Sequence, residues 1–305
     1  MRSFYHEDYY FPLPENHPFQ MGKFPGGRDL VRAAGGRIEE AAEATEEDLR
    51  RVHAGDYLGR VRAGSWSSAE RTRMGLPVDP RLYRRCALET GGSIAAGRAA
   101  LADGIAANLG GGTHHAAVDR ASGYCVFNDV AVAVRALRAD HPDLYVMVVD
   151  TDAHQGDGTH RTFRGDPRTF TYSIHVGANF PSRKEPGDLD VPLDRFVGGR
   201  DYLDALRSTL EKAFLEFEPD LVFWVAGADV HGDDRFGQMK LSVGEIEERN
   251  RFVLDLALGW QVPLAIVYGG GYNRDVSLTN RLHALPVVLG LAADAAFPQT
   301  PADHG

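Results

Sequence analysis

The chain reads as an α/β protein: one domain, residues 1–305, built on an open, mainly parallel sheet with helices on both faces. Three observations carry that expectation. Short apolar runs alternate with longer helix-patterned segments, the order that parallel sheets require. No internal repeat or low-complexity linker interrupts the alternation. The length, 305 residues, suits one large α/β domain.

Taken in order, residues 1–30 are rich in proline, histidine and aromatics and are expected to be irregular, around the mouth of the fold. Phe4, Tyr5, Tyr9, Tyr10 and Phe11 are expected to pack on the core or its rim. A helix is expected within 39–58, where Thr45-Glu46-Glu47-Asp48 supplies a start with acids in its first turn. Residues 84–108, dominated by Ala and Gly with Leu88, Ile94, Leu101 and Ile105 interspersed, read as a helix packed closely on a sheet. They lead into a strand near 106–109. A second helix follows at 128–139. Residues 144–150, 169–175, 221–227 and 263–268 are four further strands. Helices lie between the later ones, at 201–217 and at 243–258 behind Ser242 as N-cap. Residues 296–305 are expected to be a flexible tail.

Lys and Arg total 33 against 43 Asp and Glu, a formal charge of −10. That balance argues against sequence-independent nucleic-acid binding, which needs a positive surface. The one dense basic cluster, Arg81 with Arg84 and Arg85, is expected on a solvated helix face. No apolar h-region opens the chain and no apolar stretch reads as long enough to cross a bilayer, so neither secretion nor membrane insertion is expected. Cys86 and Cys125 form no C-x-x-C pair and read as buried, reduced thiols of a cytoplasmic protein. The oligomeric state is not legible.

The informative residues cluster after the strands. Gly111-Gly112-Thr113-His114-His115 follows one, and Asp150-Thr151-Asp152-Ala153-His154-Gln155-Gly156-Asp157 follows the next. Ser173-Ile174-His175 ends a third, Ala226-Gly227-Ala228-Asp229 a fourth, and Gly269-Gly270-Gly271-Tyr272 follows the fifth. In a parallel sheet these ends share one edge, where open α/β sheets place their active sites. Asp150, Asp152 and His154 point the same way if the extended geometry continues.

Asp152, His154 and Asp229 make a plausible three-ligand metal set, with a position left for water and substrate. Imidazole and carboxylate suit zinc but also iron(II), cobalt and manganese. The competing reading is that such residues merely satisfy loop amides. The D-x-H triplet beside an adjacent His-His pair favours the metal. Histidine suits general acid–base work, and Asp150 and Asp157 are available to orient His114 and His115. The Gly-Gly-Gly-Tyr run lacks the residues of a phosphate loop. It reads as a mobile loop that swings the Tyr272 hydroxyl towards an oxyanion.

Together with Ser122-Gly123-Tyr124-Cys125, these motifs resemble the zinc-dependent histone deacetylase superfamily, in order, from about His17 to about Leu289. Gln155, Asp234-Arg235-Phe236-Gly237 with Leu241-Ser242, and Thr90-Gly91-Gly92 are similar to class IV members. The resemblance implies the arginase/deacetylase-like fold and a hydrolase acting on linear amides. It implies one catalytic zinc on Asp152, His154 and Asp229. His115 would be general base and then acid, His114 its electrostatic partner, and Asp150 and Asp157 their respective orienting carboxylates. Tyr272 would hydrogen-bond the scissile carbonyl and Gly123 would accept from the substrate amide. Tyr124 and Phe180 would wall a channel for lysine methylenes. Asp150, Ser173 and the backbone around Asp152, His154 and Ile174 would hold a structural potassium. The substrate implied is an acylated lysine in a peptide or protein, carrying acetyl or a longer fatty acyl group. Acylated polyamines and other small amines are the alternative, and a catalytically silent acyl-lysine binding module is a further one. An arginase-type two-manganese enzyme fits less well, because His231 stands where a second carboxylate would be needed. Richness in Ala, Gly and Arg suggests a bacterial source.

Overall fold

The computed structural model describes residues 1–294, so the tail expected at 296–305 lies outside the described residues. Eight strands form one sheet: β1 (Arg2–Tyr5), β2 (Arg37–Glu40), β3 (Ile105–Asn108), β4 (Val146–Asp150), β5 (Thr169–Val176), β6 (Leu189–Leu193), β7 (Leu221–Val225) and β8 (Leu264–Val267). Their order is β2-β1-β3-β8-β7-β4-β5-β6, and every neighbouring pair is parallel. Ten helices cover it: α1 (Lys23–Ala33), α2 (Glu46–Arg50), α3 (Gly55–Ala63), α4 (Ser68–Met74), α5 (Leu82–Asp103), α6 (Asp129–Asp140), α7 (Asp157–Phe163), α8 (Gly199–Phe217), α9 (Val243–Trp260) and α10 (Val276–Asp294). β3, β4, β7 and β8 are buried at every residue. That is why they read as apolar runs rather than alternating ones, with polar residues only at the last position of β3 (Asn108) and β4 (Asp150).

The long helices lie where the periodicity puts them. Asn128 caps α6 through Ala131 N, and Ser242 with Glu245 forms a full capping box on α9. Three strands escape a sequence reading, each for a local reason. β1 is four residues long and owes its state to pairing with β2 and β3. β2, Arg-Ile-Glu-Glu, is an edge strand whose charges blunt the exposed edge. β6 is the opposite edge and carries Pro192. So residues 1–30 are not simply irregular: they hold β1 and the start of α1, with Phe4, Tyr5, Tyr9 and Phe11 buried. The helix expected over 39–58 is instead a strand end, a loop and two short helices. Its Thr45–Asp48 capping box exists, but α2 stops at Arg50. Among the described residues one helix, α10, is by length and composition apolar enough to cross a bilayer, contrary to the sequence reading. It packs against α1 and α9 and buries His283 and Thr279 among its apolar side chains.

His53 ties this periphery to the centre. Its Nδ1 lies 3.1 Å from Ala117 O, and Asn128 N donates to its Nε2 at 3.0 Å. Only the neutral ring satisfies both, and burial pushes it down to about 4. The unfolded chain takes up this proton near pH 6.5 whereas the folded one resists. The stability His53 contributes is therefore full above about pH 6.5 and is lost as pH falls towards 4. Comparing urea midpoints at pH 7 and pH 4, wild type should lose about 3 kcal/mol more than His53→Gln. Equal losses would remove His53 as a source of acid lability.

The sheet order positions the chemistry. β3, β8, β7, β4 and β5, whose following segments carry the informative motifs, are five contiguous strands at the centre of the sheet. Their carboxyl ends therefore open onto a single crevice.

Candidate active site

After β3 the chain turns through Gly111 and Gly112, both at positive φ (74° and 69°). The Asp129 carboxylate at the start of α6 accepts from Gly112 N at 3.0 Å and Thr113 N at 2.7 Å, and from Ser93 Oγ at 2.5 Å. This anchor, unnoticed in the sequence, aims the next two residues inward. His114 Nδ1 lies 2.6 Å from Asp150 Oδ2, and His115 Nδ1 lies 2.7 Å from Asp157 Oδ1. The two ring centroids are 4.0 Å apart. Burial opposes charge on His114, yet the Asp150 and Asp152 carboxylates outweigh it and raise this ring to about 9. Burial and the His114 cation press His115 down to about 4. One imidazole is thus held charged and its neighbour neutral.

Asp150, Asp152 and His154 converge, but not by continued extension. β4 ends at Asp150, and the next turns are stapled by carboxylates: Asp152 N donates to Asp150 Oδ1 at 3.1 Å and His154 N to Asp152 Oδ1 at 2.9 Å. Asp150 consequently serves His114, while Asp152 and His154 meet Asp229, which follows the adjacent strand β7. Ligand atoms of these three lie within 4.8 Å of one another, all buried. His154 Nδ1 is 2.8 Å from Asp229 Oδ2 and 3.1 Å from Asp152 Oδ1. Burial and the facing Asp152 carboxylate push Asp229 up to about 7, the mark of two carboxylates sharing a place suited to a cation. One nitrogen and two carboxylate donors beside an open cavity fit a catalytic zinc. Gly270 completes the floor: a Cβ there would stand 2.3 Å from Asp229 Oδ2 and 2.8 Å from Asp152 Oδ2.

The cavity is about 340 Å³ and runs from Thr72, Arg73 and Gly75 at the surface past His115, His154 and Tyr272 to Lys23, Arg85 and Glu89 at depth. Phe180 stands edge-on to His115 at 4.8 Å, and Tyr124 lies 5.8 Å from Tyr272. Both line the cavity, as do Phe19 and Phe236, which were not foreseen. Gly123 has φ +52°, and a Cβ there would meet His115 at 2.6 Å and Phe180 at 3.0 Å, so any side chain would be strained and would press on both rings. Tyr272 is tethered through its backbone. Its N–H donates to Asp234 Oδ2 at 2.6 Å, and its carbonyl accepts from Arg235 Nε at 3.0 Å. The glycines before it leave space that a Cβ would fill: one on Gly271 would stand 2.4 Å from His283 Nε2. Burial, then Asp152 and Asp229, push the Tyr272 phenol well above its usual range, so it stays an O–H donor.

The deep end was misread. Arg85 is buried, not solvated, and pairs with the equally buried Glu89 at 2.6 Å. Arg81 and Arg84 do remain at the surface. A basic residue three positions into an Ala-rich helix gives no local sign of which way it faces. Lys23 donates to Gly269 O at 2.8 Å beneath the rings of Phe19 and Tyr272, and burial lowers it to about 8.

Two further residues brace the centre from behind. Gln155 does not line the cavity. Its amide grips Glu185, accepting from the Glu185 N–H at 2.9 Å and donating to its carbonyl at 2.9 Å, and also donates to Asp190 at 2.7 Å. Arg249, fully buried on α9, donates to Gly227 O at 2.7 Å and Thr151 O at 3.3 Å, joining the turns that carry Asp229 and Asp152. Arg249→Met should orphan both carbonyls and cost about 1–3 kcal/mol for each, read as a lower urea midpoint. An unchanged midpoint would mean these bonds carry no stability. Ser173 sits opposite Asp150 in the β4–β5 register, with its hydroxyl 3.0 Å from His175 Nδ1. Cys86 and Cys125 are buried and free.

Comparison with known proteins gives the family. The histone deacetylase domain profile matches residues 17–285. An uncharacterised protein of Picosynechococcus sp. is 37% identical over 276 residues, covering 89% of this chain and 92% of that protein. The acetoin utilization protein AcuC of Bacillus subtilis is 32% identical, covering 84% of this chain and 73% of its own length. AcuC of Staphylococcus xylosus is 30% identical over 290 residues. The crystal structure of the HDA15 HD domain superposes with a TM-score of 0.79 at 22% identity, over 97% of this chain and 94% of that one, and so shares the fold. With its domain profile matched, its relatives aligned along most of their length and its motifs gathered at one sheet edge, the chain belongs to the histone deacetylase family.

Proposed function

We propose that this deacetylase-family protein is a zinc-dependent amidohydrolase that removes acyl groups from lysine ε-amines. One observation carries the reading: two His–Asp pairs, a D-x-H/Asp ligand set and a buried tyrosine face one another across an aromatic-walled cavity. Asp152, His154 and Asp229 would hold the zinc, which when bound polarises the amide carbonyl and acidifies the attacking water.

The chain's own groups do the rest. His115, neutral and bonded through Nδ1 to Asp157, has its Nε2 lone pair free to accept the proton of the attacking water. The same nitrogen then returns it to the departing amine. His114, held charged by Asp150, favours negative charge developing beside it. Tyr272 donates its O–H to the oxygen that gains charge as the carbonyl becomes tetrahedral. Tyr124, Phe180, Phe19 and Phe236 exclude water and grip the methylenes, and the Gly123 carbonyl accepts from the substrate amide. Asp150, Ser173 and the backbone at Ile174 would hold potassium, which would stiffen the turn bearing the zinc ligands.

Turnover of a fluorogenic peptide series, from acetyl- to octanoyl-lysine and beyond, tests the reading on zinc-loaded protein with and without chelator. Chelator-sensitive release of any acyl group is the expected result, and the chain-length profile would size the acyl pocket. No release across the series with zinc bound would overturn lysine deacylation.

A further inference from the structure

Two arginines at the cavity mouth are fixed in place but not neutralised. Arg73, at the end of α4, donates through Nε to Ala121 O at 3.2 Å. Arg235 donates through Nε to Tyr272 O and through Nη2 to Pro18 O, both at 3.0 Å. Each guanidinium is thereby anchored on backbone carbonyls, which orient it without cancelling its charge. Both line the cavity and both are exposed. Among the described residues, neither is in an ion pair. Glu70, one turn before Arg73, acts on it only through space, its carboxylate being held by its own helix cap and by Arg60. The carboxylates that line the cavity, Glu89 and Asp152, lie at its buried end. The mouth is therefore cationic on a chain whose overall charge is −10.

The Nη N–H groups that those backbone carbonyls leave over can donate to a carboxylate, and orientation before binding removes part of the ordering cost. The acylated amine loses its charge on acylation, so nothing about the reacting group itself calls for arginines at the rim. We propose that Arg73 and Arg235 form a carboxylate-recognition subsite, holding an anionic group carried by the same molecule as the acylated amine. This deepens, and rests on, the reading of the cavity as an acyl-amine site. The carboxylate has two possible sources: an acidic side chain flanking the acyl-lysine in a peptide, or the free α-carboxylate of a terminal or single acyl-lysine. Polycationic amides such as acylpolyamines would meet like charge at the same place.

The test compares kcat/KM on zinc-loaded protein for acetyl-lysine peptides with flanking glutamates or flanking lysines. Acetyl-lysine with a free carboxylate is set against its amide. Wild type should favour the anionic member of at least one pair by about tenfold, the size of one charge-assisted contact at a partly exposed site. The preference should shrink with added salt. In Arg73→Gln/Arg235→Gln the ratio should fall towards one. Preference confined to the glutamate pair would assign an acidic peptide, and preference confined to the free carboxylate would assign the α-carboxylate. An unchanged ratio in the double variant, or no anionic preference in wild type, overturns the subsite. If no substrate is turned over, fluorescence anisotropy with the same labelled compounds decides separately. Charge-selective binding lost in the double variant would keep the subsite while hydrolysis fails, and unselective or absent binding would overturn it.

Discussion

Asp229→Ala is expected to strip the protein of its metal and abolish acyl release. Asp229 supplies one of only two carboxylates in the ligand cluster, and its Oδ2 is 2.8 Å from His154 Nδ1. A catalytic zinc needs three protein ligands to keep its remaining position open for chemistry. Losing a residue that merely supports a ligand costs about 10–100-fold in metal affinity or activity, so losing a ligand should cost more. Asp229 also accepts from Ala153 N at 2.9 Å through Oδ1, so a circular-dichroism melt must accompany the metal measurement. Zinc content by mass spectrometry should fall well below one per chain in a folded variant. A folded Asp229→Ala that keeps full zinc would remove Asp229 from the ligand set.

Tyr272→Phe should lower kcat by about 10²–10³ without changing zinc content, because it deletes one oxyanion donor and nothing else. The substitution is close to silent structurally. What holds Tyr272 in place is its backbone, through Asp234 and Arg235, and its ring, against Phe19, Tyr124 and Phe236. The ring's phenol stays protonated in the cavity, so the effect should persist across the neutral pH range. His115→Ala makes a useful companion, with about 10²–10⁴ lost in kcat and zinc retained. A drop in KM sensitivity rather than kcat for Tyr272→Phe would make the tyrosine a wall of the channel, not a donor. Metal loss in His115→Ala would contradict its assignment outside the ligand set.

Much of this site was legible as residue chemistry. D-x-H, His-His and Gly-Gly-Gly-Tyr are local patterns, and each follows a mostly apolar run that reads as a buried strand. The central strands and long helices were readable for the same reason: β7 and β8 are apolar throughout, β4 is apolar up to its terminal Asp150, and α9 announces itself at Ser242. What stayed hidden depends on contacts between residues far apart in the chain. β1, β2 and β6 are too short, charged or proline-bearing to declare themselves, and exist because a neighbouring strand offers its backbone. Arg85 and Lys23 look like surface cations until α5 and α1 are docked, when they become the deep end of the cavity. Asp129 and Arg249 carry no motif, yet they hold the loops on which the histidines and the ligand carboxylates stand.

The identities of the reacting groups were thus written in short-range sequence, since ligand and acid–base chemistry is a property of residue type. Their convergence was not. Sheet order is set by which apolar faces and backbone edges satisfy one another across the whole chain. It is that order, β3-β8-β7-β4-β5, that brings residues 114, 152, 229 and 272 to one crevice.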